Sequence, residues 1–178
     1  IRDRVIDALL DPTDGVADDL APVIDGDRIG VGGHSIGASG AFGLAYHDCC
    51  RDERVDAVVG FGGNPMAFGF DPPGFTFTGT PLLVAHGDQD TIAPVEFGES
   101  VIASADEPAY LLTVPDADHF TPIYPDGDGD AFGISWSATA AFFDQHVAGI
   151  DGAWASFVDE APESFPGFTA DLVTSTSG

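Results

Sequence analysis

The chain has 178 residues, 44% of them apolar, and carries 30 acids against 5 bases, a formal net charge of −25. That apolar content, with 14 Phe, excludes a disordered acidic tail, and the length suits one domain with its own core. All five bases are arginines (Arg2, Arg4, Arg28, Arg51, Arg54) and there is no lysine. A nucleic-acid or anionic-membrane partner, which needs clustered cations, is therefore not expected, and no apolar run reaches the roughly 18–20 residues of a membrane span.

Residues 3–10 show apolar side chains at helical spacing until Pro12 and Gly15 break the pattern, which 16–24 resume weakly. Residues 28–33 read as a short buried strand. From Ile36 to about Tyr46, small residues predict a helix packed closely on a sheet. Residues 55–61, 81–86 and 109–114 read as further strands, and 94–104 and 135–148 as helices. The Gly-, Pro- and Phe-rich stretch 62–80 reads as a surface excursion near the carboxyl ends of the strands, and TADLVTSTSG as a frayed tail. This alternation predicts an α/β fold, a three-layer sandwich around a mostly parallel sheet. The strands are apolar without alternation, as when helices cover both sheet faces. No internal repeat or domain linker is visible.

Gly33-His34-Ser35-Ile36-Gly37 lies between a predicted strand and a predicted helix. In that context G-x-S-x-G marks a sharp turn that lifts a serine above the sheet edge. Gly32, Gly33 and Gly37 are expected to supply the room, and the Ile36 N–H to face a developing oxyanion. A serine hydroxyl needs a base, and the base a carboxylate, in the chain order Ser, Asp, His. Gly87-Asp88-Gln89-Asp90 follows one strand and Pro115-Asp116-Ala117-Asp118-His119 another, at strand ends where ligands meet an open α/β sheet.

The runs DRIGVGGHSIGASG, TPLLVAHGDQDTIAPV and LLTVPDADHF resemble the α/β-hydrolase superfamily. Within it they look like the dienelactone-hydrolase-like, chlorophyllase-like and cutinase-like polyester hydrolases, over residues 3–160. The resemblance implies Ser35 as nucleophile, Asp90 as triad acid and His119 as general base. Its GxxD pattern selects Asp90 over Asp88, which reads as a turn residue. Ile36, Met66, Ile92 and Phe120 are candidate walls of the substrate site. In that superfamily several strands precede the elbow, and the loop after one of them gives a second oxyanion N–H. Nothing before residue 28 matches these, so the chain is expected to be the C-terminal two-thirds of a longer single domain.

The predicted activity is a serine hydrolase cleaving small-molecule or polymeric carboxylic esters through an acyl-enzyme, with no cofactor and no metal. The contrary reading is a weak or inactive fragment of that fold, kept as a binding or structural module. His34 is expected to pack beside the serine, and His86 to be a hydrogen-bonded structural histidine. His47 and His146 lie near helix ends, where a cation suits the dipole. Asp116 and Asp118 read as solvated loop acids. Cys49 and Cys50 are adjacent, a spacing wrong for zinc and poor for a bridge to each other. The alternating acids Asp126, Asp128 and Asp130 suggest calcium, but the stretch departs from the EF-hand loop, and a flexible acidic loop is the preferred reading. The lysine-free acidic surface is of the kind that stays hydrated at high ionic strength, so stability is expected to persist as salt rises. Neither compartment nor oligomeric state follows from the residues.

Overall fold

The computed structural model describes residues 3–10, 21–65, 74–106, 108–124, 130–165 and 173–174. In chain order these form α1 (Asp3–Leu10), a 3₁₀ turn (Ala21–Val23), β1 (Ile29–His34), α2 (Ile36–Tyr46), β2 (Val55–Phe61), β3 (Leu82–Gly87), α3 (Glu96–Ile102), β4 (Ala109–Val114), α4 (Asp130–His146), α5 (Ala153–Ser164) and β5 (Val173–Thr174). The sheet order is β1-β2-β3-β4-β5. The first four strands are parallel, and β5 pairs antiparallel with Tyr110–Leu111 of β4. Among the described residues, no strand precedes β1, and no helix is long and apolar enough to cross a membrane.

Two apolar layers sandwich the sheet. On one face Val58, Leu82, Val84, Ala109 and Leu111 meet Ala38, Phe42 and Tyr46 of α2 and Val101 and Ile102 of α3. On the other, Ala57, Val59, Phe61, Leu83, Ala85, Leu112 and Val114 meet Ile134, Ala138 and Phe142 of α4 and Trp154 and Ala161 of α5. Every residue of β3 is buried, as a central parallel strand requires. Removing one such Val, Leu or Phe from water contributes roughly 1.5–3 kcal/mol. The small residues of α2 let it close on the sheet: Phe42 lies where a side chain on Gly60 would stand.

Three readings of the sequence change here. Residues 74–80 do not stay at the carboxyl ends of the strands. The crossover from β2 to β3 must return to the strand starts, and Phe75 bridges to His47 at the far end of α2 while Phe77 buries against Phe42 and Tyr46. The Tyr46 hydroxyl closes this end by donating to the Thr80 carbonyl at 2.9 Å. The tail supplies an edge strand at Val173–Thr174, which pairs with the backbone of β4. Cys49 and Cys50 form a disulfide with each other; after α2 ends, the chain turns back at Cys50 and Arg51, whose N–H groups both donate to the His47 carbonyl.

Candidate active site

The first four strands end at His34, Phe61, Gly87 and Val114. The residues that follow them converge. Ser35 comes directly after β1, Gly62 directly after β2, and Asp90 and His119 lie in the loops beyond β3 and β4. The last two loops are stitched together: the N–H of Asp88 donates to the Val114 carbonyl at 3.1 Å and that of Gln89 to Ala117 at 3.0 Å. They approach so closely that a side chain on Gly87 would overlap the Ala117 carbonyl.

Ser35 has φ 55° and ψ −119°, an unusual backbone for a residue with a side chain. Such strain costs on the order of 1–3 kcal/mol and persists only where the surroundings enforce it. Here the Ser35 N–H donates to the Phe61 carbonyl at 2.8 Å, and the Ser35 carbonyl accepts the Ser39 N–H at 3.1 Å. Buried Ser39 donates its hydroxyl to the Asn64 carbonyl, tying the first turn of α2 to the loop after β2. Of the three glycines expected to make room, only Gly33 is sterically required, because a Cβ there would strike the Gly37 and Ala38 backbone. A Cβ on Gly37 meets nothing within 4 Å, and one on Gly32 makes only ordinary contact.

The Ser35 hydroxyl lies 2.9 Å from His119 Nε2. On the other side of that buried ring, Nδ1 lies 2.6 Å from Asp90 Oδ2. An ionised Asp90 accepts from Nδ1–H, which leaves Nε2 to accept the serine proton. The second carboxylate oxygen of Asp90 accepts the N–H groups of Ile92 at 2.9 Å and Ala93 at 2.7 Å, so both oxygens are held. Asp88 is exposed on the same loop and does not reach the histidine. Ile36 is the first residue of α2, where backbone N–H groups have no acceptor within the helix. Ile36, Ile92 and Phe120 are exposed beside Ser35, Asp90 and His119 in turn. Met66 lies outside the described residues, as do Asp126 and Asp128; Asp130 is the first residue of α4.

Three contributors escaped the sequence reading. His34 does more than pack: its Nε2–H donates to the His119 carbonyl at 2.8 Å, and the two rings lie 4.6 Å apart. Burial pushes its pKa below the usual histidine value, which keeps it neutral at pH 7. Gly62, at φ 53°, faces the Asp90–His119 hydrogen bond, and a Cβ would sit 3.1 Å from His119 Nδ1 and 3.2 Å from Asp90 Oδ2. Asp118 is more than a solvated acid. Its Oδ1 accepts the N–H groups of Phe120 and Thr121 and the Thr121 hydroxyl, closing the turn beside His119, and these bonds lower its pKa. The D-x-x-T spacing was the available signal.

The remaining histidines are structural. His86 has no exposed surface, and neither ring nitrogen has a hydrogen-bond partner among the described residues, contrary to expectation. The Ala93 backbone lies near it without closing a bond, and Gly98 of α3 leaves its ring room. Burial pushes its pKa down to about 4. His146 is also pushed down by burial, against Phe142, so it adds no cation to the end of α4 at neutral pH. His47 packs edge-on against Phe75 and accepts the Cys49 N–H. His47, Cys49 and Cys50 offer ligand atoms within 4.8 Å of one another, but both sulfurs are bonded to each other.

No family model matches the chain, and no curated protein matches it.

Proposed function

We propose that the protein is a serine hydrolase of the α/β-hydrolase type that cleaves carboxylic esters. The observation that carries this reading is the unbroken chain Ser35 Oγ–His119 Nε2, His119 Nδ1–Asp90 Oδ2, at 2.9 and 2.6 Å, hung on a strained serine at a strand–helix junction. The three motifs that resemble the superfamily meet in it.

In this mechanism Ser35 Oγ attacks the acyl carbon and His119 Nε2 takes the hydroxyl proton. Asp90 holds the imidazole in the tautomer that can accept that proton and stabilises the imidazolium that results. The Ile36 N–H, at the positive end of α2, faces the charge that grows on the carbonyl oxygen. The alkoxide leaves with the proton from His119. Water then attacks the acyl-serine with His119 again as base, releasing the acid and restoring Ser35.

The test is hydrolysis of 4-nitrophenyl butyrate by the full chain and by Ser35→Ala. The reading expects a loss of roughly 10³-fold or more in the variant, with an unchanged circular dichroism spectrum. Equal rates for the two proteins refute it and leave the binding-module alternative.

A further inference from the structure

We propose that the site admits esters with an uncharged, apolar acyl group and turns away esters carrying a carboxylate. This rests on the ester-hydrolase reading above and names the substrate class.

The apolar side of the claim comes from the rim. Ile36 is 59% exposed beside Ser35, Ile92 is 63% exposed two residues after Asp90, and Phe120 is 45% exposed beside His119. The Phe120 ring lies 5.1 Å from the His119 imidazole and 5.7 Å from His34, and Tyr124 extends the surface 6.0 Å beyond it. Large apolar side chains left in water next to each member of one hydrogen-bonded chain mark a surface that gains by being covered. An acyl chain bound to Ser35 is the occupant placed to cover it.

The charge side comes from where the cations are. Arg28 precedes β1, Arg54 precedes β2, and Arg51 lies against Gly79, three residues before the chain enters β3. All three stand at the strand starts, the opposite end of the sheet from Ser35. Arg4 belongs to α1, whose Asp7 pairs with Arg54 at that same end. The segments outside the description contain no lysine and no arginine but Arg2. The loops that carry Asp90 and His119 bear exposed Asp88, Asp116 and Asp118. His34, whose ring lies 4.6 Å from that of His119 and 5.7 Å from that of Phe120, is kept neutral at pH 7 by burial. A substrate carboxylate seated on Ile36, Ile92 and Phe120 would lose water and meet acids instead of a partner, which is unfavourable on both counts.

The experiment compares 4-nitrophenyl butyrate with 4-nitrophenyl hemisuccinate, whose acyl chain is of similar length but ends in a carboxylate. It uses the full chain at the lowest salt where circular dichroism shows it folded. The expected kcat/KM favours butyrate by about tenfold or more, with the ratio shrinking in ~1 M salt as screening sets in. In Asp88→Lys the ratio shrinks about threefold through the hemisuccinate rate, with the butyrate rate unchanged. Ser35-dependent hydrolysis of hemisuccinate at a rate equal to or above that of butyrate overturns the proposal and leaves the hydrolase reading standing. A ratio indifferent to both salt and Asp88→Lys overturns it as well. Loss of Ser35-dependence for both esters overturns the hydrolase reading itself.

Discussion

The two ends of the sheet use their polar residues in opposite ways. At the strand starts, charges are paired and turns are closed. Arg54 meets Asp52 through two nitrogens and Asp7 through a third, Arg28 meets Asp25, and the Cys49–Cys50 disulfide sits just past α2. At the strand finishes the backbone is strained at Ser35 and Asp116, and among the described residues no arginine stands with the exposed acids Asp88, Asp116 and Asp118. The lesson is that one end contributes stability and the other holds groups in costly arrangements that stability alone does not call for. Backbone strain of this kind clusters at functional sites.

Acid acts on the strand-finish end through His86. His86 carries a folded-state pKa of about 4 against an ordinary value of 6.5, so the native state binds fewer protons than the unfolded state between those values. Stability is therefore lost as pH falls through 6.5 towards 4, by about 3 kcal/mol once both states are protonated. His86→Leu, an apolar replacement among Val84 and Leu111, removes that dependence. Urea unfolding of both proteins from pH 7 to pH 4 measures it, and parallel curves contradict it. Neutralisation of Asp118, whose pKa is lowered, adds a loss common to both proteins at the acid limit, so the difference between them isolates His86.

A smaller effect separates placement from mere packing. Gly62→Ala sets a methyl group against the Asp90–His119 bond at a φ that disfavours side chains. Under the proposed mechanism kcat falls roughly 10- to 100-fold, as a misplaced catalytic group costs, while KM changes less than twofold. Gly40→Ala in α2, where a Cβ meets nothing within 4 Å, is the matched control and leaves kcat unchanged. If both substitutions act alike, Gly62 has no special place at the site.

The smallest effect is expected at the opposite end. Arg54→Ala breaks an exposed pair with Asp7 and a two-nitrogen pair with Asp52, whose side chain is only 7% exposed, so the thermal midpoint falls while ester hydrolysis is unchanged. A large loss of activity would erase the division between the two ends.

What could be read in the residues followed local physics. α2, β2 and β4 lie where small-residue helix packing and apolar runs placed them. The loops bearing Asp90 and His119 announced themselves by Gly and Asp at strand ends, and those side chains do meet. What escaped depends on distant partners. α4 begins at Asp130, five residues before the apolar pattern suggests, and Gly133 in its first turns makes room for Phe165 beyond α5. Val173–Thr174 becomes a strand only because β4 offers an edge. The hydrogen bond from His34 to the His119 carbonyl spans 85 residues, and no local pattern could signal it. The orphaned nitrogens of His86 run against the general rule that buried polar groups are paired.

The most direct measurement of the central claim is covalent. The full chain is mixed with 4-nitrophenyl butyrate, quenched in acid within the first turnovers, digested and read by peptide mass spectrometry. A butyryl group is expected on the peptide carrying Ser35, formed by the unmodified chain and absent from His119→Ala. A butyryl group on another residue, or one on Ser35 that forms equally well without His119, would contradict it.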